Sequence, residues 1–229
     1  MKKSFWLILF IAVLLADCIG IQLKNETWQF IFKPLLIPVL MGYFLSQTKK
    51  DNNLVTWIAT ALFFSWSGDV LLLFEERNSL FFLLGLSAFL LAQLFYIIFF
   101  HHIRIRENLK SNPWLLLIVV IYYAVLMSAL NPGFDNPGFH SMKLPVRIYG
   151  VVISFMFLLA LHMLFLKNKI TGRLMILGAL LFVVSDSVLA FNKFVRSFEG
   201  AGLIIMLTYG LAQLCIMMGA IKYIRGIQE

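Results

Sequence analysis

Phe64-Ser65-Trp66-Ser67-Gly68-Asp69-Val70-Leu71-Leu72-Leu73 is the stretch on which the reading of the fold turns. It is apolar enough for lipid, yet it carries a carboxylate in its middle. The same arrangement returns downstream at Phe182-Val183-Val184-Ser185-Asp186-Ser187-Val188-Leu189-Ala190-Phe191. A charge at bilayer depth costs roughly 3 kcal/mol even on lenient insertion scales, so it is tolerated where it faces the inside of a bundle and serves a function. Two such residues in matching settings point to one site.

The rest of the chain fits that setting. Of 229 residues 61% are hydrophobic and 13% charged, which is outside the range of a water-soluble domain. The net charge of +8 does not signal nucleic acid, because the cations sit in short loops between apolar runs. Runs long enough to span a bilayer lie at about 4–22, 29–47, 54–75, 79–101, 113–131, 144–167, 171–191 and 200–224. They lack the alternation of a transmembrane barrel. The fold class is therefore an all-α membrane bundle of eight transmembrane helices, forming one polytopic domain over 1–229. Met1-Lys2-Lys3 before an apolar run resembles a signal peptide, and Leu15-Ala16-Asp17-Cys18 a lipoprotein box. Asp beside the cut is unfavourable and the run continues to Ile21, so the segment reads as an uncleaved first helix.

Twelve of the 19 cations fall on one side: Lys2, Lys3, Lys49, Lys50, Arg104, Arg106, Lys110, Lys167, Lys169, Arg173, Lys222 and Arg225. The positive-inside rule then expects both termini in the cytoplasm and a bacterial-type inner (cell) membrane location. The longest outer loop, Asn131 to Phe139, is rich in turn signals. It reads as a connector, with a lid over an outward-facing cavity as the alternative.

Polar residues suggest two parallel four-helix repeats. Asp69 pairs with Asp186, Ala92-Gln93-Leu94 with Ala212-Gln213-Leu214, and Lys33-Pro34 with the Lys143, Pro145 and Arg147 group. Each aspartate lies 15 residues into its span, roughly 22 Å along a helix, so both belong to the outer half. Lys33 and Arg147 enter from that outer side, where they either bind a phosphate or snorkel to headgroups. Gln93 and Gln213 lie deeper, as interhelical hydrogen-bonding amides or site residues. Asp17 is either a third acid of the site or an interfacial residue. Asn192 either caps a helix end or contacts a ligand, and Tyr209 either bonds within the site or packs.

Two carboxyl groups close together in a dry site cannot both be charged easily, which leaves an acid beside a base. That pair suits a reaction that protonates a weakly basic atom and then delivers water. Convergence requires the third and seventh helices to be neighbours. No His or Cys cluster accompanies the acids, so no metal and no cofactor is expected.

These residues resemble the YhhN/lysoplasmalogenase family. The resemblance rests on Lys33-Pro34-Leu35, Ser67-Gly68-Asp69-Val70-Leu71-Leu72, Gly85 with Gln93, Ser185-Asp186-Ser187 with Leu189 and Asn192, and Tyr209-Gly210-Leu211-Ala212-Gln213. It spans nearly the whole chain. It implies an integral membrane hydrolase of the vinyl-ether bond in lysoplasmalogens, yielding a fatty aldehyde and a glycerophospho-base, with a lysophospholipid and membrane lipids as partners. The catalytic pair carries over as Asp69 and Asp186. Lys33, Arg147, Asn192, Gln93, Gln213, Tyr209 and Asp17 are candidate substrate contacts. The competing reading is a small secondary transporter using the same aspartates for protons or cations. A non-catalytic lipid sensor is the third.

Overall fold

A computed structural model describes residues 3–48 and 53–228. Lys2, Lys49 and Lys50 lie outside the described residues, as does the side chain of Lys3. Eight helices follow one another: α1 (Lys3–Gln22), α2 (Glu26–Gln47), α3 (Asn53–Leu72), α4 (Ser79–Arg106), α5 (Pro113–Leu130), α6 (Lys143–Leu161), α7 (Lys169–Phe194) and α8 (Ala201–Gln228). All eight are long and apolar enough to cross a bilayer. In hydrocarbon each backbone must satisfy itself, and helices do so. The chain is an integral membrane protein.

Several ends differ from the sequence expectation for local reasons. α2 starts at Glu26, three residues early, because the Asn25 side chain accepts from the Trp28 amide at 3.2 Å. α3 stops at Leu72, where tight turns over 73–77 take over. α4 runs on to Arg106 and α7 to Phe194. α6 gives way at His162 to a short 3-10 turn.

The α3–α4 and α7–α8 hairpins are the most intimate packings, followed by α1–α2. Close approach needs small residues. A Cβ on Gly178 of α7 would collide with the α8 backbone at Ala212 and Ile216. α8 also touches α1, α2 and α3, so it sits centrally. α5 lies at the rim, with most of its large side chains exposed toward lipid. α3 packs mainly on α4 and α2 and touches α8, on which α7 packs most broadly, so α3 and α7 meet through α8 rather than broadly with each other. Direct neighbourhood of those two helices, the condition set from the sequence for the aspartates to meet, gives way to a shared partner.

Two prolines in α2 set its relation to α3. Pro38 has no amide proton, so the carbonyl four residues back, that of Pro34, loses its helical partner. The Trp66 indole of α3 donates to that carbonyl at 2.9 Å. One bond thus satisfies a bare carbonyl in the membrane and locks α3 against α2 one turn from Asp69.

The bundle has two distinct ends. One gathers the connections 23–25, 73–78, 131–142 and 195–200, and holds the polar clefts described below. There the loop after α5 is pinned, with Gly133 and Phe134 buried and the Phe134 and Phe139 rings each 5.3 Å from Phe194. Gly133 lies against the Phe194 carbonyl so closely that no Cβ fits. The segment is a packed connector.

Candidate active site

Asp69, near the C-terminal end of α3, is 3% exposed and accepts a hydrogen bond from the Tyr209 hydroxyl of α8 at 2.7 Å. Asp186 of α7 accepts from the Tyr149 hydroxyl of α6. It keeps partial exposure, whereas its neighbour Ser185 is buried and donates to the Ile205 carbonyl at 3.0 Å. Each acid is therefore held by a phenol from a different helix. The two carboxyl groups interact electrostatically with each other. Asp69 also interacts with Lys33 and Asp17. The bundle brings four ionisable groups from α1, α2, α3 and α7 into one field.

The phenols are themselves fixed by packing. The Tyr209 ring meets Phe89 and Phe182 edge-on, at 5.9 and 5.5 Å. Behind it, Tyr96 donates to Gln213 Oε1 at 2.5 Å, and Gln213 Nε2 donates to Ser65 at 3.0 Å. Gln213 is thus fully engaged. Gln93 has the same flanking residues but a different fate, being fully buried with neither amide atom hydrogen-bonded to the protein. It lies beside the Tyr149 phenol. Next to Asp186, Ser187 donates to the Val183 carbonyl at 2.6 Å, so in its 3.0 Å contact with Tyr122 the phenol is the donor. Asp17 is fully buried, and no protein group hydrogen-bonds to either of its oxygens.

The remaining candidates sit nearer water. Lys33 is half-buried and lines a cleft of about 320 Å³ together with Glu26, Gln29, Glu75, Glu76 and Arg77. It belongs both to this cleft and to the field around Asp69. Asn192 accepts from the Phe198 amide at 3.1 Å and borders a second, larger cleft of about 1030 Å³ that shares Glu76 with the first. Arg147 donates to Asn131 at 3.0 Å, tying α6 to the end of α5. It is not drawn into the cluster around the aspartates.

Sequence reasoning passed over several of these partners. Glu75 forms an ion pair with Lys193 at 3.0 Å, and that ammonium also sits 4.8 Å from the Phe82 ring. Ser65, Tyr96 and Tyr122 carried no signal beyond being polar groups in apolar runs. Among the described residues no three His, Cys, Asp or Glu side chains gather closely enough to hold a metal ion.

The family model described as YhhN matches residues 28–220. Lysoplasmalogenase TMEM86B of Mus musculus is 33% identical over 168 residues, covering 73% of this chain and 65% of that protein. The Rattus norvegicus protein of the same name is 32% identical over 73% of this chain and 63% of its own length. The chain thus spans a little under two thirds of these two relatives. The Homo sapiens protein is 29% identical over 210 residues, 90% of this chain and 81% of its own. No solved structure matches. All the motif residues named above from Lys33 to Gln213 fall inside the matched region, and the chain belongs to the YhhN family.

Proposed function

We propose that the protein is a membrane hydrolase that cleaves the vinyl-ether bond of lysoplasmalogens, with Asp69 and Asp186 as its acid–base pair. The observation that carries this reading is the shared field of two phenol-held carboxyl groups inside an apolar bundle. The names of the relatives supply the substrate class.

The reaction is R–CH=CH–O–R′ + H2O → R–CH2–CHO + HO–R′. One carboxyl, neutral, delivers its proton to the alkene carbon remote from the ether oxygen. The π electrons form the new C–H bond, and positive charge develops on the carbon attached to oxygen. The other group, as carboxylate, stabilises that charge and takes a proton from the water as the water adds. The hemiacetal then gives its hydroxyl proton to the first group, now a carboxylate, as its C–O bond to the glycerol oxygen breaks, and that oxygen leaves as the alcohol with the proton held by the second group. Gln93, whose buried amide lies beside the Tyr149 phenol that holds Asp186 and has no hydrogen bond to the protein, is suited to orient the water. Lys33, reaching from the cleft into the field of Asp69, is suited to hold the phosphate while the chain stays in lipid.

In this reading the cleft end faces away from the cytoplasm and both termini face it, in a bacterial-type inner membrane. Support comes from the described cations Arg104, Arg106, Lys110, Lys167, Lys169, Arg173, Lys222 and Arg225, which cluster toward the opposite end. The transporter alternative gains nothing from the packing, because Phe99, Phe100, Ile103 and Ile224 fill the core toward that end and are fully buried.

Purified protein in detergent is given an alkenyl lysophosphoethanolamine and its ester-linked acyl counterpart. The reading expects fatty aldehyde from the first and no fatty acid from the second. Absence of aldehyde from the alkenyl lipid would remove the hydrolase assignment.

A further inference from the structure

Two glutamines stand beside the two phenols that hold the aspartates, Gln93 beside Tyr149 and Gln213 beside Tyr209. Both are fully buried and both sit in an Ala-Gln-Leu segment, yet their bonding differs. Neither amide atom of Gln93 is hydrogen-bonded to the protein. Both atoms of Gln213 are, since Tyr96 donates to its Oε1 at 2.5 Å and its Nε2 donates to Ser65 at 3.0 Å. Gln213 is committed to the protein in a way that does not suit a substrate contact, the part given to it from the sequence.

The register of these bonds is regular. Ser65 and Asp69 lie one turn apart on α3, and Tyr209 and Gln213 one turn apart on α8. The bonds Gln213–Ser65 and Tyr209–Asp69 are thus two successive rungs between the same two helices. α3 and α8 approach each other only narrowly, while α3 packs broadly on α4 and α8 broadly on α7. With so little backbone contact between them, the rungs set how one helix stands on the other. Tyr96 ties the Gln213 rung to α4 through its hydroxyl, and its ring meets Phe182 edge-on at 6.3 Å. Phe182 in turn meets the Tyr209 ring at 5.5 Å. Ser65, Tyr96 and Gln213 are at most 1% exposed, so bulk water does not replace a bond lost among them.

We infer that Gln213 is a positioning residue: its bond to Ser65 holds α8 in register on α3 and so keeps the Tyr209 hydroxyl on Asp69, without touching the lipid. The inference rests on the hydrolase reading. A misplacement of about 1 Å at a reacting group can cost on the order of 100-fold in rate. Loss of the Gln213 rung costs less, because the Phe89 and Phe182 rings still bracket Tyr209.

The test is a double-mutant cycle on aldehyde release from an alkenyl lysophosphoethanolamine. Gln213→Leu should lower kcat roughly tenfold with KM within about twofold of wild type, because no contact to the lipid is lost. In a Tyr209→Phe background the same substitution should change kcat by less than about twofold, since the bond it positions is already gone. Ser65→Ala removes the same rung from the other side, should follow the same pattern, and serves if Gln213→Leu does not fold. Losses that multiply with that of Tyr209→Phe would overturn the inference, and they are what a general loosening of the bundle produces. So would a KM raised several-fold, the mark of a substrate contact, or a kcat left at the wild-type value. No aldehyde from the wild-type protein removes the hydrolase reading itself, whereas aldehyde release with independent losses removes only the positioning role.

Discussion

At the depth of Asp69 and Asp186 water is not available as a general hydrogen-bond partner, so the bundle must supply one, and it supplies a phenol to each from another helix. A bond from a neutral donor to a carboxylate is among the stronger ones, worth roughly 1.5–3 kcal/mol. Tyr149→Phe and Tyr209→Phe are each expected to lower kcat at least about tenfold with KM nearly unchanged, because the phenol acts on the reacting group and not on the lipid. Lys33→Ala should do the reverse, raising KM with kcat close to wild type, as loss of a contact made equally in ground and transition states. Steady-state aldehyde release measures both. Asp69, Asp186 and Tyr209 were legible in the sequence because a lone polar residue in an apolar run is costly and therefore conspicuous. The bond from Tyr149 to Asp186 was not, because it depends on how α6 is rotated against α7, and side-chain packing sets that rotation.

Among elements, the α2–α3 contact shows how a defect in one helix becomes a joint with the next. The carbonyl of Pro34 is bare because Pro38 follows one turn later, and Trp66 covers it. Trp66→Phe should cost about 1–2 kcal/mol, seen as a lowered Tm in detergent. Pro38→Ala restores an amide proton to the same carbonyl, so the double variant should recover part of that loss. Additive losses in the double variant would show that the indole bond carries no such role. The spans themselves were legible from length and composition, since a 30 Å hydrocarbon layer demands about 20 apolar residues. Their ends were less so. The Asn25 cap moved the start of α2, and the tight turns after Leu72 ended α3 early.

At the scale of the whole molecule the buried aspartates and the two clefts bordered by Lys33 and Asn192 lie toward one end, and aromatic and aliphatic side chains fill the core toward the other. The ion pair of Glu75 with Lys193 joins the segments following α3 and closing α7 at that polar end. An amphiphile fits this asymmetry, with its headgroup at the clefts and its chain in lipid. The orientation proposed above expects Lys24→Cys and Arg196→Cys to react with an impermeant thiol reagent added outside intact cells, and Ser111→Cys to react only after lysis. The reversed pattern would invert the topology. Convergence of the two aspartates was the part the sequence left open: α3 and α7 share α8 as a partner, and a shared partner leaves no local trace in either segment. The account stands on both carboxyl groups acting in one reaction. Its most direct test is the rate of aldehyde release from an alkenyl lysophosphoethanolamine by Asp69→Asn and Asp186→Asn, each recovered as a monodisperse protein in detergent. Loss of activity in both is predicted, and wild-type turnover in either would contradict it.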